Sequence, residues 1–327
     1  MTMDEEALRA WALEAGFAQC ALCGAQDFGQ ERLRVAQQPP LAERRQLRFS
    51  PQEDWPEAKS LAVLLWPYRQ AAPARPGAVW VDSYYAASNA AYHAARRLED
   101  RLAQAGVFAR ANVSYPARRA AVRAGLGFIG KNDLLITPEH GTRVVIILMA
   151  TAVDAPQRPV RPAPGQTCLS CGRCAAACPS GAIGPEGMTH PERCMRNFTM
   201  EGVVVPEQLR QRMGMCLLGC DICQRVCPMQ PDAGQADEPA FALDDFMTAD
   251  DAAFSSAVTR LAAQIGRNAA RPQRVRAQAA LLAGNSGKPV YLPVLQRWAQ
   301  SDFEAVRAHA QWAISRLSGL DLESQKR

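Results

Sequence analysis

The sequence predicts three parts in series: an α/β N-terminal domain over residues 1–160, a cysteine-rich insert over 161–235, and an all-α C-terminal part over 236–327. Three observations carry this reading. Within the first 160 residues, helical periodicities alternate with strand-length apolar runs. Nine of the eleven cysteines lie between Cys168 and Cys227. From Asp244 onward, Ala, Leu and Val recur every three to four positions with no strand pattern.

Leu8, Trp11, Ala12, Ala15 and Phe17 keep helical spacing across residues 1–25, which run into a strand at Ala18–Leu22. Residues 40–58 are rich in proline and charge and read as loop. Leu61–Trp66 is a continuous apolar run of strand length, closed by Pro67. Residues 71–80 read as a second loop and 83–105 as one long helix. Ala120–Ala124 reads as a helix broken by the glycines of Gly125-Leu-Gly-Phe-Ile-Gly130. Leu134–Thr137 and Val144–Thr151 read as two strands joined by a turn at Pro138–Gly141. Ala155–Gln166, with four prolines, is a linker, and Gln230–Glu238 is a polar connection. In the C-terminal part, Val-Arg-Ala-Gln-Ala-Ala-Leu-Leu (275–282) and Val-Arg-Ala-His-Ala-Gln-Trp-Ala (306–313) form a short internal repeat of the kind helical solenoids carry.

With 327 residues, 48% hydrophobic and 21% charged, the chain can bury more than one core. No apolar run approaches the roughly 18 residues of a membrane span. Met1–Glu6 is acidic with no apolar segment behind it, unlike a signal peptide. The expectation is a cytoplasmic monomer with no membrane partner, in a compartment where clustered cysteines bind metal more readily than they pair. Six Lys/Arg and no acid lie between Asp100 and Asp133, and seven with no acid between Asp251 and Asp302. Such stretches suit either a polyanion such as nucleic acid or a solvated arginine face.

Cys168-x2-Cys171-x2-Cys174-x3-Cys178-Pro179 is the bacterial ferredoxin run, whose fourth cysteine ligates the other cluster of a pair. Three thiolates two residues apart can wrap one cuboidal cluster in a tight loop. Cys220-x2-Cys223-x3-Cys227-Pro228 repeats the ending, and Cys194 can complete its set. The crossed pattern assigns Cys168, Cys171, Cys174 and Cys227 to one 4Fe–4S cluster. Cys178, Cys194, Cys220 and Cys223 go to the second, which leaves Cys216 over. Zinc would favour paired Cys-x2-Cys knuckles with longer separations. Cys20 and Cys23 lie on an apolar stretch and read as packing.

Several further motifs resemble the epoxyqueuosine reductase family. They are Trp55-Pro-Glu-Ala-Lys-Ser-Leu-Ala-Val-Leu-Leu-Trp-Pro-Tyr68, Tyr92-His93, Arg123-Ala-Gly-Leu-Gly-Phe-Ile-Gly-Lys-Asn132, and Leu135-Ile-Thr-Pro-Glu-His-Gly-Thr142. Gly219-Cys-Asp-Ile-Cys-Gln-Arg-Val-Cys-Pro228 is similar to its second cluster run. The C-terminal helices look like its HEAT-like tRNA-binding repeat. The resemblance implies a ferredoxin-like double-cluster insert between an α/β cobalamin-binding-type domain and HEAT-like helices. It implies electrons passing from a ferredoxin or flavodoxin through the clusters to cobalamin, which reduces epoxyqueuosine in tRNA to queuosine. The family carries an Asp proton donor in a segment of the type Asp-x-x-Pro-x-x-x-Arg. Here that segment reads Ala111-Asn112-Val-Ser-Tyr-Pro116, so Asn112 stands at or beside the catalytic position.

Gly125, Gly127 and Gly130 have Rossmann-like spacing, but they follow a helix and lack the βαβ context. Close backbone approach to a large planar cofactor is the alternative use. Given the cobalamin that the resemblance implies, Gly127 and Gly130, with Lys131 and Asn132 as hydrogen-bond donors to its amide side groups, are the cofactor-binding candidates, a plain surface role for the last two being the alternative. Arg267, Arg271, Arg274 and Arg276, with no acid nearby in sequence, are candidate tRNA phosphate contacts. Two other functions fit the same residues: a cobalamin/iron–sulfur reductase of a small molecule, and a non-catalytic electron carrier.

Overall fold

A strand that is apolar on both faces needs cover on both sides, and the run from Ser60 to Pro67 receives it. The computed structural model describes residues 3–36, 48–71, 78–156, 167–184, 190–231, 235–236 and 241–324. Helix α1 (Glu5–Glu14) is capped by Asp4, whose carboxylate accepts from the Ala7 N–H at 2.9 Å, and leads into β1 (Gln19–Gly24). β1 pairs antiparallel with β2 (Ser60–Pro67). After β3 (Ala78–Val81) comes the long helix α2 (Tyr84–Gln104), then β4 (Ala109–Ala111), α3 (Ala117–Arg123), the short strands β5 (Phe128–Ile129) and β6 (Leu135–Ile136), and β7 (Val144–Thr151). The main sheet has the order β1-β2-β7-β4 and is antiparallel throughout.

Helices α1 and α2 cover one face of this sheet through Leu8, Ala12, Ala91, Ala94, Ala95 and Leu98. Helix α3 covers the other with Ala120 and Ala121, joined by Phe28 and Tyr115. Cys20 and Cys23 are buried on opposite faces of β1, three positions apart on a strand whose side chains alternate. Both therefore pack, and burial pushes the Cys23 thiol up to about 11.

The predicted hairpin is wrong in its partner. Leu135–Ile136 folds back on Phe128–Ile129, and only a bridge between Thr137 and Gly141 spans the following turn. The reason is the tight turn at Gly130–Asp133. There the Gly130 N–H donates to Leu134 O at 2.9 Å and Asp133 adopts φ 57°. Val144–Thr151 is thereby free to enter the main sheet. The loop read at 71–80 contains a strand instead. Ala78–Val81 pairs in parallel with β8 (Cys216–Leu218) and antiparallel with Phe241–Ala242. The 40–58 loop holds a helical turn at Pro51–Asp54. Residues 157–166 of the predicted linker, and most of 230–238, lie outside the described residues.

The C-terminal helices are α4 (Asp251–Ile265), α5 (Pro272–Ser286), α6 (Leu292–Trp298) and α7 (Glu304–Ser324). They do not bury their apolar faces alone. One core combines Leu261, Val275, Leu281, Leu295 and Val306 with Met195, Val205, Leu217 and Leu218 of the cysteine region. None of the helices among the described residues is long and apolar enough to cross a membrane.

The internal repeat places Gln278 on α5 and His309 on α7 at equivalent positions, both fully buried. His309 Nε2 accepts from the Val205 N–H at 2.9 Å, and Nδ1 lies 2.9 Å from Ala277 O, which requires a neutral ring with its proton on Nδ1. Burial lowers its pKa to about 4 from 6.5. Because the folded value is depressed, the unfolded chain takes up the proton first. The stabilisation is complete above pH 6.5 and is lost as pH falls toward 4. The full loss is about 3 kcal/mol. His309→Gln should therefore flatten the fall in melting temperature between about pH 6.5 and about pH 5, measured by thermal unfolding against wild type. An unchanged slope would show that other groups set acid sensitivity.

Candidate functional site

Cysteines spaced by two residues can face one space only if the chain between them turns sharply. Ser170 (φ 51°) and Gly172 (φ 74°) provide those turns. Cys168, Cys171 and Cys174 then line an open pocket with Cys227, although Cys227 lies some fifty residues on. The short helix Arg173–Ala177 packs against Ile222–Arg225, which sets Cys178 near Cys223 and Cys227 near Cys168 and Cys171 and so crosses the runs.

The remaining ligand candidates lie within electrostatic reach of Cys223, although no three of them among the described residues stand close enough to hold a single metal ion. Burial pushes the Cys223 thiol well up, and after burial the groups that raise it are Cys220, Cys194, Cys178 and Cys174. Burial likewise pushes Cys220 up to about 12. Packed thiols of this kind need a cationic centre to be held as thiolates. Burial also raises Cys178, but hydrogen bonds from Ser180, Ala182 and Ile183 outweigh it and leave the thiol lowered. The Ala182 N–H lies 3.3 Å from Cys178 Sγ, a contact that favours a charged sulfur. Cys216 lies near Cys220 but is not among the neighbours of Cys223: it is buried on β8, and its thiol donates to Gly219 O at 3.2 Å.

The second cysteine run is tied to the sheet by side-chain amides. Gln224 Oε1 accepts from Tyr68 Oη at 3.0 Å and from Thr142 Oγ1 at 3.1 Å. Gln230 Oε1 accepts from the Thr142 N–H at 3.2 Å. At Gly141 (φ 55°) a Cβ would stand 2.3 Å from Gln230 Oε1 and 2.8 Å from Met229 O, so only glycine lets the two chains approach. This contact carries the β5–β6 loop to the cysteines: Lys131, Asn132 and Ile136 line the same pocket as Cys168, Cys171, Cys174 and Cys227.

The glycines of that loop have a use within the hairpin itself. A Cβ at Gly127 (φ 154°) would meet Ile136 O at 2.2 Å, and one at Gly130 would lie 2.8 Å from Asn132 Oδ1. Asn132 is buried, and its Oδ1 accepts from the Leu134 N–H at 3.3 Å. Lys131 is the half-buried cation at the pocket.

Asn112 follows β4 in the left-handed region, φ 59°, and its Nδ2 lies 3.5 Å from Tyr92 O. It is not among the residues lining the cysteine pocket. A carboxylate does lie next to it in space. Glu99, buried on α2, accepts from the Ala111 N–H at 3.2 Å, from Arg96 at 2.6 Å and from Arg110 at 3.3 Å. The sequence signal was Glu99 falling beside Leu98 on the apolar face of the helix.

The four C-terminal arginines divide. Arg276 pairs with Asp251 at 3.1 Å and lies over the Phe254 ring, so the expectation that no acid is near does not hold for it. Arg274 donates to Asn268 O at 2.7 Å and Ala269 O at 2.9 Å. Arg267 and Arg271 are exposed with no ion pair among the described residues. The earlier basic stretch is likewise paired through the fold: Arg101 with Glu14, Arg110 with Glu99, Arg118 with Asp133 and Arg119 with Glu31.

Residues 167–230 match a 4Fe–4S double cluster binding domain. The chain is 39% identical over 113 residues to an epoxyqueuosine reductase of Bacillus subtilis (strain 168), covering 34% of this chain and 28% of that protein. It is 31% identical over 212 residues to one from Lactococcus garvieae (strain Lg2), covering 60% of this chain and 57% of the relative. These alignments thus span little more than half of the curated relatives at most. A crystal structure of selenomethionine-labelled epoxyqueuosine reductase superposes with a TM-score of 0.77 at 23% identity, over 98% of this chain and 94% of that one. One of epoxyqueuosine reductase with an epoxyqueuosine-modified tRNA-Tyr stem loop gives 0.77 at 24% identity, over 95% and 89%. The chain carries a double 4Fe–4S cluster binding domain within the fold of the epoxyqueuosine reductases, the name its sequence relatives bear.

Proposed function

We propose that this chain is an iron–sulfur reductase that uses cobalamin to reduce epoxyqueuosine in tRNA to queuosine. The observation that carries the reading is the single pocket shared by Cys168, Cys171, Cys174 and Cys227 with Lys131, Asn132 and Ile136. It sets a cluster's ligands directly against the loop of the α/β part. Cys168, Cys171, Cys174 and Cys227 would hold the first cluster, and Cys178, Cys194, Cys220 and Cys223 the second. The mutual electrostatic influence of Cys227 with Cys168 and Cys171, and of Cys223 with Cys220, Cys194 and Cys178, supports this division. The parts 1–160, 161–235 and 236–327, the last with HEAT-like helices, go with the same reading.

A cluster would fill this pocket, so cobalamin would lie outside it, against the loop that bounds it: Leu169, 63% exposed, offers an apolar contact there, and Lys131 and Asn132 are the loop's candidates for meeting a cofactor's amides. Gly127 and Gly130 keep the loop backbone low beside them. Cobalamin, when bound, supplies a cobalt centre that can be reduced through the clusters by a ferredoxin or flavodoxin. Converting the epoxide to the alkene takes two electrons and two protons and releases water. The chain's part is to supply the protons, and Asn112 cannot, because an amide donates a hydrogen bond but not a proton at neutral pH. The reaction therefore runs slowly here, with water as the proton source. Arg267 and Arg271 supply phosphate contacts, while Arg274 and Arg276 brace the helices that present them.

Three outcomes test this. Anaerobically prepared protein holds about eight iron per chain. Cys171→Ala and Cys223→Ala each lose close to half of it, while Cys216→Ala keeps it. Retention of all iron in either of the first two overturns that ligand assignment. With cobalamin, a reductant and epoxyqueuosine tRNA, nucleoside mass spectrometry should detect slow formation of queuosine. Asn112→Asp should raise the rate at least about tenfold, since a positioned acid contributes roughly 10²–10⁴. Ala111→Asp is the matched control. No queuosine from any of the three, with cluster reduction intact, would move the substrate to a small molecule. For tRNA binding, the Arg267→Ala/Arg271→Ala double variant should lower the slope of log affinity against log salt by about one to two. Arg276→Ala should leave the slope alone and lower the melting temperature.

A further inference from the structure

Helix α2 packs against α4. Asn89 sits at that contact: its Nδ2 donates to Gln264 O at 3.2 Å, and its Oδ1 lies 2.8 Å from where a Cβ on Gly266 would stand. Tyr92, His93 and Arg96 follow Asn89 at three, four and seven residues, the spacing of a single helix face. The opposite face holds the buried residues Ala91, Ala94, Ala95 and Leu98. All three residues after Asn89 are exposed. Tyr92 leaves 47% of its surface open, with its ring meeting His93 edge-on at 5.3 Å.

This stripe links two places the sequence singled out separately. At its N-terminal end the Asn89 contact sets it beside the loop that carries Arg267, with Arg271 at the start of the next helix. Midway along, the Asn112 amide reaches the Tyr92 carbonyl. Arg96 is committed to Glu99, and Asp100 closes the stripe one turn further on. The cations left for a ligand are Arg267 and Arg271 at the Asn89 end, which have no ion pair among the described residues, since Arg97 lies off this stripe. An open aromatic ring with unpaired arginines at one end of its face matches a single-stranded nucleic acid, whose splayed bases stack while its phosphates meet guanidinium groups. A duplex hides its base faces and gains nothing from the ring.

We propose that the Asn89–Arg96 face of this helix binds an unpaired RNA loop, with one base stacked on Tyr92 and the adjoining phosphates held by Arg267 and Arg271. The inference rests on the RNA substrate proposed above. It is tested with the full chain, prepared anaerobically, by the binding of an unmodified anticodon stem-loop and of a fully paired hairpin of equal length. Tyr92→Ala should weaken stem-loop binding about five- to a hundredfold, with the salt slope unchanged. Tyr92→Phe should bind like wild type, and the paired hairpin should not distinguish Tyr92→Ala from wild type. Iron content and melting temperature of Tyr92→Ala verify that the fold is intact. Wild-type affinity in Tyr92→Ala, or equal weakening on both RNAs, overturns the stacking role while salt-dependent binding leaves the RNA substrate standing. If wild type binds neither RNA in a salt-dependent way, the RNA substrate falls as well.

Discussion

Gln224 lies beside Cys223 and close to Cys227, and its side-chain carbonyl takes hydrogen bonds from Tyr68 and Thr142, both far away in the sequence. Most of the site follows from that contact. It fixes the second cysteine run against the turn that ends in Gly141, and the turn in turn carries the β5–β6 loop to the thiols. Without a side chain at 141 the two backbones come within contact of each other, and any Cβ there would prise them apart. The polar groups involved are largely sheltered from water, where an unpaired amide or hydroxyl costs about 1–3 kcal/mol. The arrangement therefore resists partial opening: losing one partner strands the others.

Charge in this protein has to be counted in three dimensions. Along the sequence, residues 101–132 contain cations and no acid, which suggests a surface waiting for a polyanion. In the fold, Glu14, Glu31, Glu99 and Asp133 meet four of those arginines, and Arg123 donates to the carbonyls of Gln26 and Asp27. The same sorting divides the C-terminal arginines, where the pairing of Arg276 with Asp251 leaves Arg267 and Arg271 as the open cations. A basic stretch thus serves as internal bracing when the topology folds acids over it.

The cysteine spacing was legible because ligand geometry is local, set by two-residue intervals that leave the chain few ways to turn. Strands such as Leu61–Trp66 were legible for the same reason: an apolar run of that length has few other uses. Partners of strands were not. Whether Leu135–Ile136 pairs forward or backward depends on the left-handed residue Asp133, and nothing in hydrophobic pattern reports it. Ala78–Val81 looked like loop because its partners, Cys216–Leu218 and Phe241–Ala242, lie well over a hundred residues away. The glycines at 127 and 130 were visible, but the contacts that demand them, Ile136 and Asn132, were not. Glu99 went unread as a neighbour of Asn112 because the two meet only when β4 is laid beside the helix.

The core shared by Met195, Val205, Leu217 and Leu218 with the last four helices bears on how the chain is made. Translation runs from the N-terminus, so the thiols of 168–227 leave the ribosome ahead of the helices at 251–324 that complete their packing. For that interval the segment has ligands but only part of its scaffold, with apolar side chains still in water. Metal delivered early would meet a loosely held site. Delivered after α7 has packed, it meets one in which the His309 ring already pins Val205. The cysteine region is therefore not a portable cassette: cut at residue 235, it would carry its ligands away from half of the core that holds them.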